Sequence, residues 1–206
     1  MKDRHFNYIK DLTRYERQET WEVKIGGVGV GGLKPIRIQT MTDTSTRDTE
    51  ATLEQIKSVY AAGADYVRVT VKGIYDAENL KNIVKGMKER ELNIPLIADI
   101  HFNPNLAEIA AKSVDKVRIN PGNFYDKRAN FDSKIFSDEE YKVELQKIEE
   151  KFIPFLEHLK KTNTALRIGA NHGSLSDRVM SRFGDTPSGM AESVLEYLRI
   201  CRKVNF

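Results

Sequence analysis

Cysteine is nearly absent: Cys201 is the one thiol in 206 residues. A single cysteine excludes an internal disulfide, a zinc ribbon and an iron–sulfur site built wholly from this chain's own cysteines. An excess of one charge is also lacking. The formal net charge of +3 is too small to argue for a nucleic-acid surface. No apolar run approaches the roughly 20 residues of a bilayer span. Met1 to Trp21 carries charge where a secretory leader would carry an apolar core. The glycine-rich stretch Gly26 to Gly32 lacks the Gly-Lys-Ser/Thr and the following helix that a phosphate loop requires. These absences leave a soluble, cytoplasmic chain with neither membrane nor nucleic acid as partner. A content of 40% hydrophobic and 31% charged residues is that of a globular protein with a packed core, not of a disordered one.

Residues 1–20 read as a charged, partly helical extension. Glu22-Val23-Lys24-Ile25 and Val28-Gly29-Val30 flank Gly26-Gly27, a hairpin pattern that would cap one end of a sheet. From Pro35 a strand–helix alternation sets in. Strands are expected over Ile36 to Met41, Asp65 to Val71, Ile94 to His101, Asp115 to Asn120 and Thr164 to Gly169. Helices are expected over Asp48 to Ala62 (Leu53, Ile56, Val59 and Tyr60 inward), Tyr75 to Arg90 and Pro104 to Lys112. A polar insertion, Phe124 to Asp138, precedes a long helix near Glu139 to Lys161. There Tyr141, Leu145, Ile148, Phe152, Phe155 and Leu159 share a face, and Pro154 should kink the axis. A short helix near Ser176 to Arg182 follows. The last helix starts at Asp185-Thr186-Pro187, with Met190, Val194, Leu198 and Cys201 inward.

Five such units in alternation mean a parallel α/β fold. In a doubly wound sheet both strand faces would be apolar. Here Val67, Val69 and Val71 oppose Arg68 and Thr70. Val117 and Ile119 oppose Lys116, Arg118 and Asn120, and Leu166 and Ile168 oppose Arg167. This parity fits a (β/α)8 TIM barrel, with helices outside and the polar face in the lumen. The chain shows about five of eight strand–helix units after the hairpin. We therefore expect part of a larger protein, folded as a curved open sheet: an extension over 1–20 and a partial barrel domain over 21–206.

Barrel lumens are ordinarily filled with Val, Ile and Leu. This one would carry Arg37, Arg68, Lys116, Arg118 and Arg167 against one evident acid, Asp99. Buried guanidinium groups need partners, and arginine forks on three strands at similar height suit diphosphate oxygens. Arg37 and Lys116, at strand starts, read as structural. At the C-terminal strand ends stand Thr42, Thr44, Asp99, His101, Asn103, Asn120, Asn123, Asn171, His172 and Ser174. Asp99 and His101 share a face and are catalytic candidates. As a metal site they would need a third ligand, for which only His172 offers itself; the plainer reading is that they orient substrate or each other. A dihydropteroate synthase-like barrel enzyme and a non-enzymatic anion-binding barrel are alternatives at this point. His5, His158 and Cys201 read as incidental or core.

Taken in order, Ile38-Gln39-Thr40-Met41-Thr42, Val67-Arg68-Val69-Thr70-Val71, Ala98-Asp99-Ile100-His101-Phe102, Lys116 to Asn123, Arg167 to Ser174 and Gly184-Asp185-Thr186-Pro187 resemble the 4-hydroxy-3-methylbut-2-enyl diphosphate synthase (IspG, or GcpE) family. The resemblance runs from about Trp21 to Phe206. It implies a TIM barrel that holds 2-C-methyl-D-erythritol 2,4-cyclodiphosphate. It also implies a separate domain with a [4Fe-4S] cluster on three cysteines and a glutamate, often supplied across a homodimer. The implied activity is that of an iron–sulfur oxidoreductase of non-mevalonate isoprenoid biosynthesis, a two-electron reductive ring opening with loss of water. Flavodoxin or ferredoxin would supply the electrons. The family's diphosphate-binding positions fall on Arg68, Arg118, Asn120, Arg167 and Asn171. Thr40 and Ala170 depart from the commoner serine and valine without altering charge. The insertion after Asn123 and the long helix resemble the form with an extra middle domain. The last barrel strands, a family lysine and the cluster ligands lie outside this chain, so the piece alone is expected to be inactive.

Overall fold

A computed structural model of the chain describes residues 11, 13–126 and 136–206. Most of the polar insertion, 127–135, and the start of the N-terminal extension lie outside the described residues. The described part of the extension, 13–20, contains no helix. It is tied to the hairpin instead: Arg17 Nη1 donates to the Lys34 carbonyl at 2.6 Å, and Thr20 Oγ1 accepts from Gly32 N at 3.0 Å.

Strands β1 (Val23–Ile25) and β2 (Val28–Val30) form the expected antiparallel hairpin. Gly26 supplies the positive φ, 55°, at its turn. Five strands follow: β3 (Gln39–Met41), β4 (Tyr66–Val71), β5 (Leu96–Ile100), β6 (Lys116–Ile119) and β7 (Ala165–Ile168). They pair in sequence order, all parallel, with β3 and β7 at the edges. Crossovers are α1 (Thr49–Ala61), α2 (Ile74–Glu89), α3 (Pro104–Ala111), the single turn α4 (Pro121–Phe124) and α5 (Asp138–Thr162). After β7 come α6 (Asp177–Phe183) and α7 (Pro187–Lys203).

Six of the seven α-helices among the described residues begin where an N-cap side chain serves a free amide hydrogen, and α2 starts after Gly73 instead. Asp48, Asn103, Asn120, Ser137, Ser176 and Thr186 all cap in this way. The core lies between the helices and the outer sheet face. Val67, Val69, Val71, Leu96, Ala98, Ile100, Val117 and Ile119 are buried against Leu53, Ile56, Leu80, Ile83, Phe152 and Phe155. Helices α1 and α2 approach at Gly86, where a methyl group would lie 2.3 Å from Leu53 Cδ1.

The inner face is not polar throughout. At the lower ends of the strands Tyr66 and Ile97 bury against Ile25 of the hairpin, with Val28, Val30 and Ala165 around them. The Tyr66 hydroxyl donates to the Val28 carbonyl at 3.1 Å. The hairpin thus closes the bottom of the inner face, as its position in the sequence suggests, and the lower rows mix apolar side chains with Gln39, Arg68 and Lys116.

Four expectations need correction. The first strand is shorter than Ile36 to Met41, and Ile36 and Ile38 are 78% and 62% exposed. Asp65 takes the Ile38 amide hydrogen at 2.7 Å and Arg37 Nη1 at 3.0 Å, so Ile38 keeps only its carbonyl on the neighbouring backbone, at Asp65 N and Tyr66 N. In α1, Tyr60 is exposed while Leu53 and Ile56 are buried. In α7 the buried face is Gly189, Ser193, Glu196, Tyr197, Ile200 and Cys201, whereas Leu198 is exposed. Glu196 turns inward because a buried arginine binds it, which rotates the helix away from its most apolar stripe. In α5, which contains Pro154, Leu145 is only partly covered.

Candidate functional site

The parallel register lines up the upper inner face. Thr70, Asp99, Arg118 and Arg167 form one row across β4 to β7. Met41, Arg68, Ile97, Lys116 and Ala165 form the row below. Asp99 stands among the cations. Arg118 Nη1 donates to its Oδ1 at 2.9 Å, and Arg68 Nε lies 3.7 Å from its Oδ2. Arg118 Nη2 also donates to the Gly169 carbonyl at 2.8 Å. Gly169 lets this happen, since a Cβ there would sit 2.7 Å from Arg118 Nε.

Arg118 and Arg68 therefore share the Asp99 carboxylate, and Lys116 and Arg167 stand in the same two rows without a carboxylate in direct contact among the described residues. The strain appears in their acidities. Burial first, and then Arg167 and Arg68, lower the Lys116 pKa from 10.5 to about 8. Desolvation, then Arg68 and Arg118, hold Arg167 below its ordinary value, while Asp99 pulls the other way. Lys116 leans on the Tyr66 ring, 5.2 Å from its centroid, and reaches Gln39 Oε1 at 3.3 Å. Arg37 binds Asp65 and the Gly29 carbonyl. These contacts hold Arg37 against the hairpin and the start of β4, and Lys116 against Tyr66 and Gln39. Arg68 Nε and Thr42 Oγ1 are buried and make no hydrogen bond among the described residues. A surplus of positive charge beside unpaired donors is what an anion would complete.

Above this wall lies a cavity of about 250 Å³ lined by Ile100, His101, Phe102, Arg118, Asn120, Asn123, Asn171, Gly173 and Ser174. Its rim is fastened by Asn120. The side chain accepts from Gly122 N at 3.2 Å, capping α4, and donates to Ser174 Oγ at 2.7 Å. Ser174 Oγ in turn donates to the Asn171 carbonyl at 3.0 Å. Gly122 is required by contact, because a Cβ there would fall 1.8 Å from the Ser174 carbonyl oxygen. Pro121-Gly122 is thus the first turn of a short helix rather than a loose bend.

The other mouth candidates separate. His101 Nε2 lies 3.9 Å from Asp99 Oδ2. His172 is turned away onto Asp185, Nδ1 to Oδ1 3.2 Å. Asn103 caps α3, and the Thr44 hydroxyl bonds that of Thr52. Among the described residues no group of three His, Cys, Asp or Glu side chains could hold a metal ion. An iron–sulfur cluster does not fit this chain's own residues. Cys201 is buried in the core of α7, and burial pushes its thiol up to about 11.

One cluster carries no signal in the sequence. Arg178, 2% exposed, donates from Nη1 and Nη2 to the two oxygens of Glu196, at 2.7 and 2.8 Å. Its Nη2 also reaches Asp126 Oδ2 at 2.7 Å. Tyr141 donates its hydroxyl to Glu196 and lays its ring under Arg178, 4.5 Å from centroid to guanidinium carbon. Burial, opposed by Arg178, raises the Asp126 pKa. The four groups come from four segments and join α5, α6, α7 and the end of the β6 loop.

The family model described as the GcpE TIM-barrel domain matches residues 20–206. A 4-hydroxy-3-methylbut-2-en-1-yl diphosphate synthase (flavodoxin) of Bacteroides thetaiotaomicron is 55% identical over 196 residues, 95% of this chain and 32% of the relative. The one of Protochlamydia amoebophila is 54% identical over 97% of the chain and 30% of the relative. A chloroplastic 4-hydroxy-3-methylbut-2-en-1-yl diphosphate synthase (ferredoxin) of Arabidopsis thaliana is 46% identical over 97% of the chain and 27% of its own length. The chain spans about a third of the curated relatives it matches. Its parallel sheet, outer helices and inward cationic rows, with a family match over almost the whole length, mean that the chain belongs to the GcpE TIM-barrel family.

Proposed function

We propose that this chain is the substrate-holding barrel segment, over residues 21–206, of an enzyme that reductively opens 2-C-methyl-D-erythritol 2,4-cyclodiphosphate to 4-hydroxy-3-methylbut-2-enyl diphosphate. The observation that carries this reading is that Arg68 and Arg118 draw on one carboxylate beside Arg167, with Arg68 Nε buried and making no hydrogen bond among the described residues. The diphosphate would take the remaining donors of these arginines. Asn171 would meet it at the rim. Asn120 is engaged through both polar atoms, so its contribution is a remaining amide hydrogen and the shape of the rim. Asp99 serves as the counter-charge that keeps the arginines apart before substrate arrives. Among the described residues that line the cavity, His101 is a titratable side chain not bonded to an arginine.

The reaction needs two electrons, and the names of the relatives support a flavodoxin or a ferredoxin as donor. A [4Fe-4S] cluster would be held by residues outside this chain, in a homodimeric, cytoplasmic enzyme. No helix among the described residues is long and apolar enough to cross a membrane. Calorimetric titration with the cyclodiphosphate tests the reading. Binding should weaken steeply with salt. Arg118→Ala should cost on the order of 2–5 kcal/mol; a loss a tenth as large would remove Arg118 from the site. The 206-residue chain alone should give no turnover with dithionite and viologen, and reductive turnover would overturn the division of labour.

A further inference from the structure

Four non-glycine residues among the described ones have positive φ: Glu91, Phe102, Asn163 and Asn205. Glu91, Asn163 and Asn205 follow the ends of α2, α5 and α7, where a left-handed residue closes a helix. Phe102 closes no helix. It stands between β5 and α3, at φ 63°. Asn103 N donates to the His101 carbonyl at 2.8 Å, so three residues close a γ-turn with Phe102 at its centre. The positive-φ form of this turn is rare and strained, and a bulky side chain makes it more so. The turn is clamped at both ends. His101 N donates to the Val71 carbonyl at 3.1 Å, and the Asn103 side chain caps α3 through Asn105 N at 3.0 Å.

Glycine or asparagine would adopt this backbone at less cost. The residue is instead a phenylalanine that is 66% exposed and so gains little from the core. Its ring stands edge-on to His101, with centroids 5.8 Å apart and an interplanar angle of 77°. Both rings line the cavity whose other walls are Arg118, Asn120, Asn171 and Ser174. The cavity therefore has a charged and amide side and one aromatic side. We infer that Phe102 is a ligand-contacting, specificity-determining residue: its ring packs on the carbon skeleton of a polyol cyclic diphosphate whose phosphates lie on the arginines. This rests on the function proposed above.

The test titrates the intact protein that contains this chain with two ligands, the cyclodiphosphate and inorganic diphosphate. Phe102→Ala and Phe102→Gly should each weaken the cyclodiphosphate about tenfold, which corresponds to roughly 50 Å² of apolar contact. Inorganic diphosphate, lacking the carbon skeleton, should bind both variants within about twofold of the parent. Phe102→Gly should also raise the melting temperature, because it releases the strained turn. Unchanged cyclodiphosphate affinity in both variants overturns the inference. An equal loss for both ligands does so too, since Phe102 would then act through the backbone. Arg118→Ala separates this result from failure of the site itself: it should weaken both ligands, and if it weakens neither, the diphosphate reading falls first.

Discussion

Arg118 and Asp99 meet across adjacent parallel strands, Nη1 to Oδ1 at 2.9 Å, with the carboxylate almost wholly buried and the guanidinium largely so. Because Arg68 draws on the same carboxylate, Asp99→Asn should leave two arginines without a counter-charge. A loss of roughly 3 kcal/mol in the anion-free protein is expected. Sulfate or diphosphate should restore more stability to the variant than to the parent. Urea unfolding with and without the anion measures both. Equal stability without anion would mean that Asp99 neutralises nothing.

Two glycines beside this pair should respond differently. Gly122→Ala places a methyl group against the Ser174 carbonyl, 1.8 Å away, where only backbone can yield. A cost of about 2–4 kcal/mol is expected. Gly169→Ala meets Arg118 Nε at 2.7 Å, the end of a flexible side chain. It should shift the guanidinium, weaken diphosphate binding about tenfold and change stability by less than about 1 kcal/mol. Unfolding and binding measured on both variants should separate the backbone clash from the displaced ligand.

Lys116 should make both stability and binding depend on pH. Its folded pKa is about 8, below the ordinary 10.5. Between these values the unfolded chain holds more protons, so stability should rise with pH across the window. A bound anion favours the charged amine and raises its pKa. Binding near pH 8–9 should then take up protons, and affinity should fall as pH rises through that range. Calorimetry in buffers of different ionisation enthalpy detects the uptake. Lys116→Met should abolish it, and persistence of the uptake would assign it elsewhere.

Arg178→Met should leave Glu196 and Asp126 facing each other in the core. Loss of about 3–5 kcal/mol is expected. Adding Glu196→Gln should recover part of it, because the remaining carboxylate would no longer face a second charge. A double-mutant cycle in denaturant unfolding measures the recovery. Strict additivity would mean that the two side chains do not act as a pair.

The alternation of apolar and polar residues along Val67 to Val71 and Val117 to Asn120 sufficed to read both the sheet and its cationic face. A strand has a period of two, and that period is written in consecutive residues. The hairpin under the sheet was legible for the same local reason. Ile36 and Ile38 misled because they alternate like a strand, while Asp65, distant in sequence, takes the Ile38 amide hydrogen and the Arg37 side chain. Leu198 misled because apolar periodicity does not reveal that Glu196 has a buried arginine to meet. The upper and lower halves of the inner face also look alike in sequence. Only the packing of Ile25 on Tyr66 and Ile97 separates them.

Residue order alone makes this chain a parallel α/β structure with helices on one face and cations on the other. Those properties depend on residue order over a few positions. Only the tertiary structure decided how the cations are held: one carboxylate shared by Arg68 and Arg118, the Asn120–Ser174 bond across 54 residues, the Arg178 cluster, and a strained turn that holds Phe102 at the cavity. Each depends on distances between segments remote in sequence, and no local pattern of residues encodes those distances.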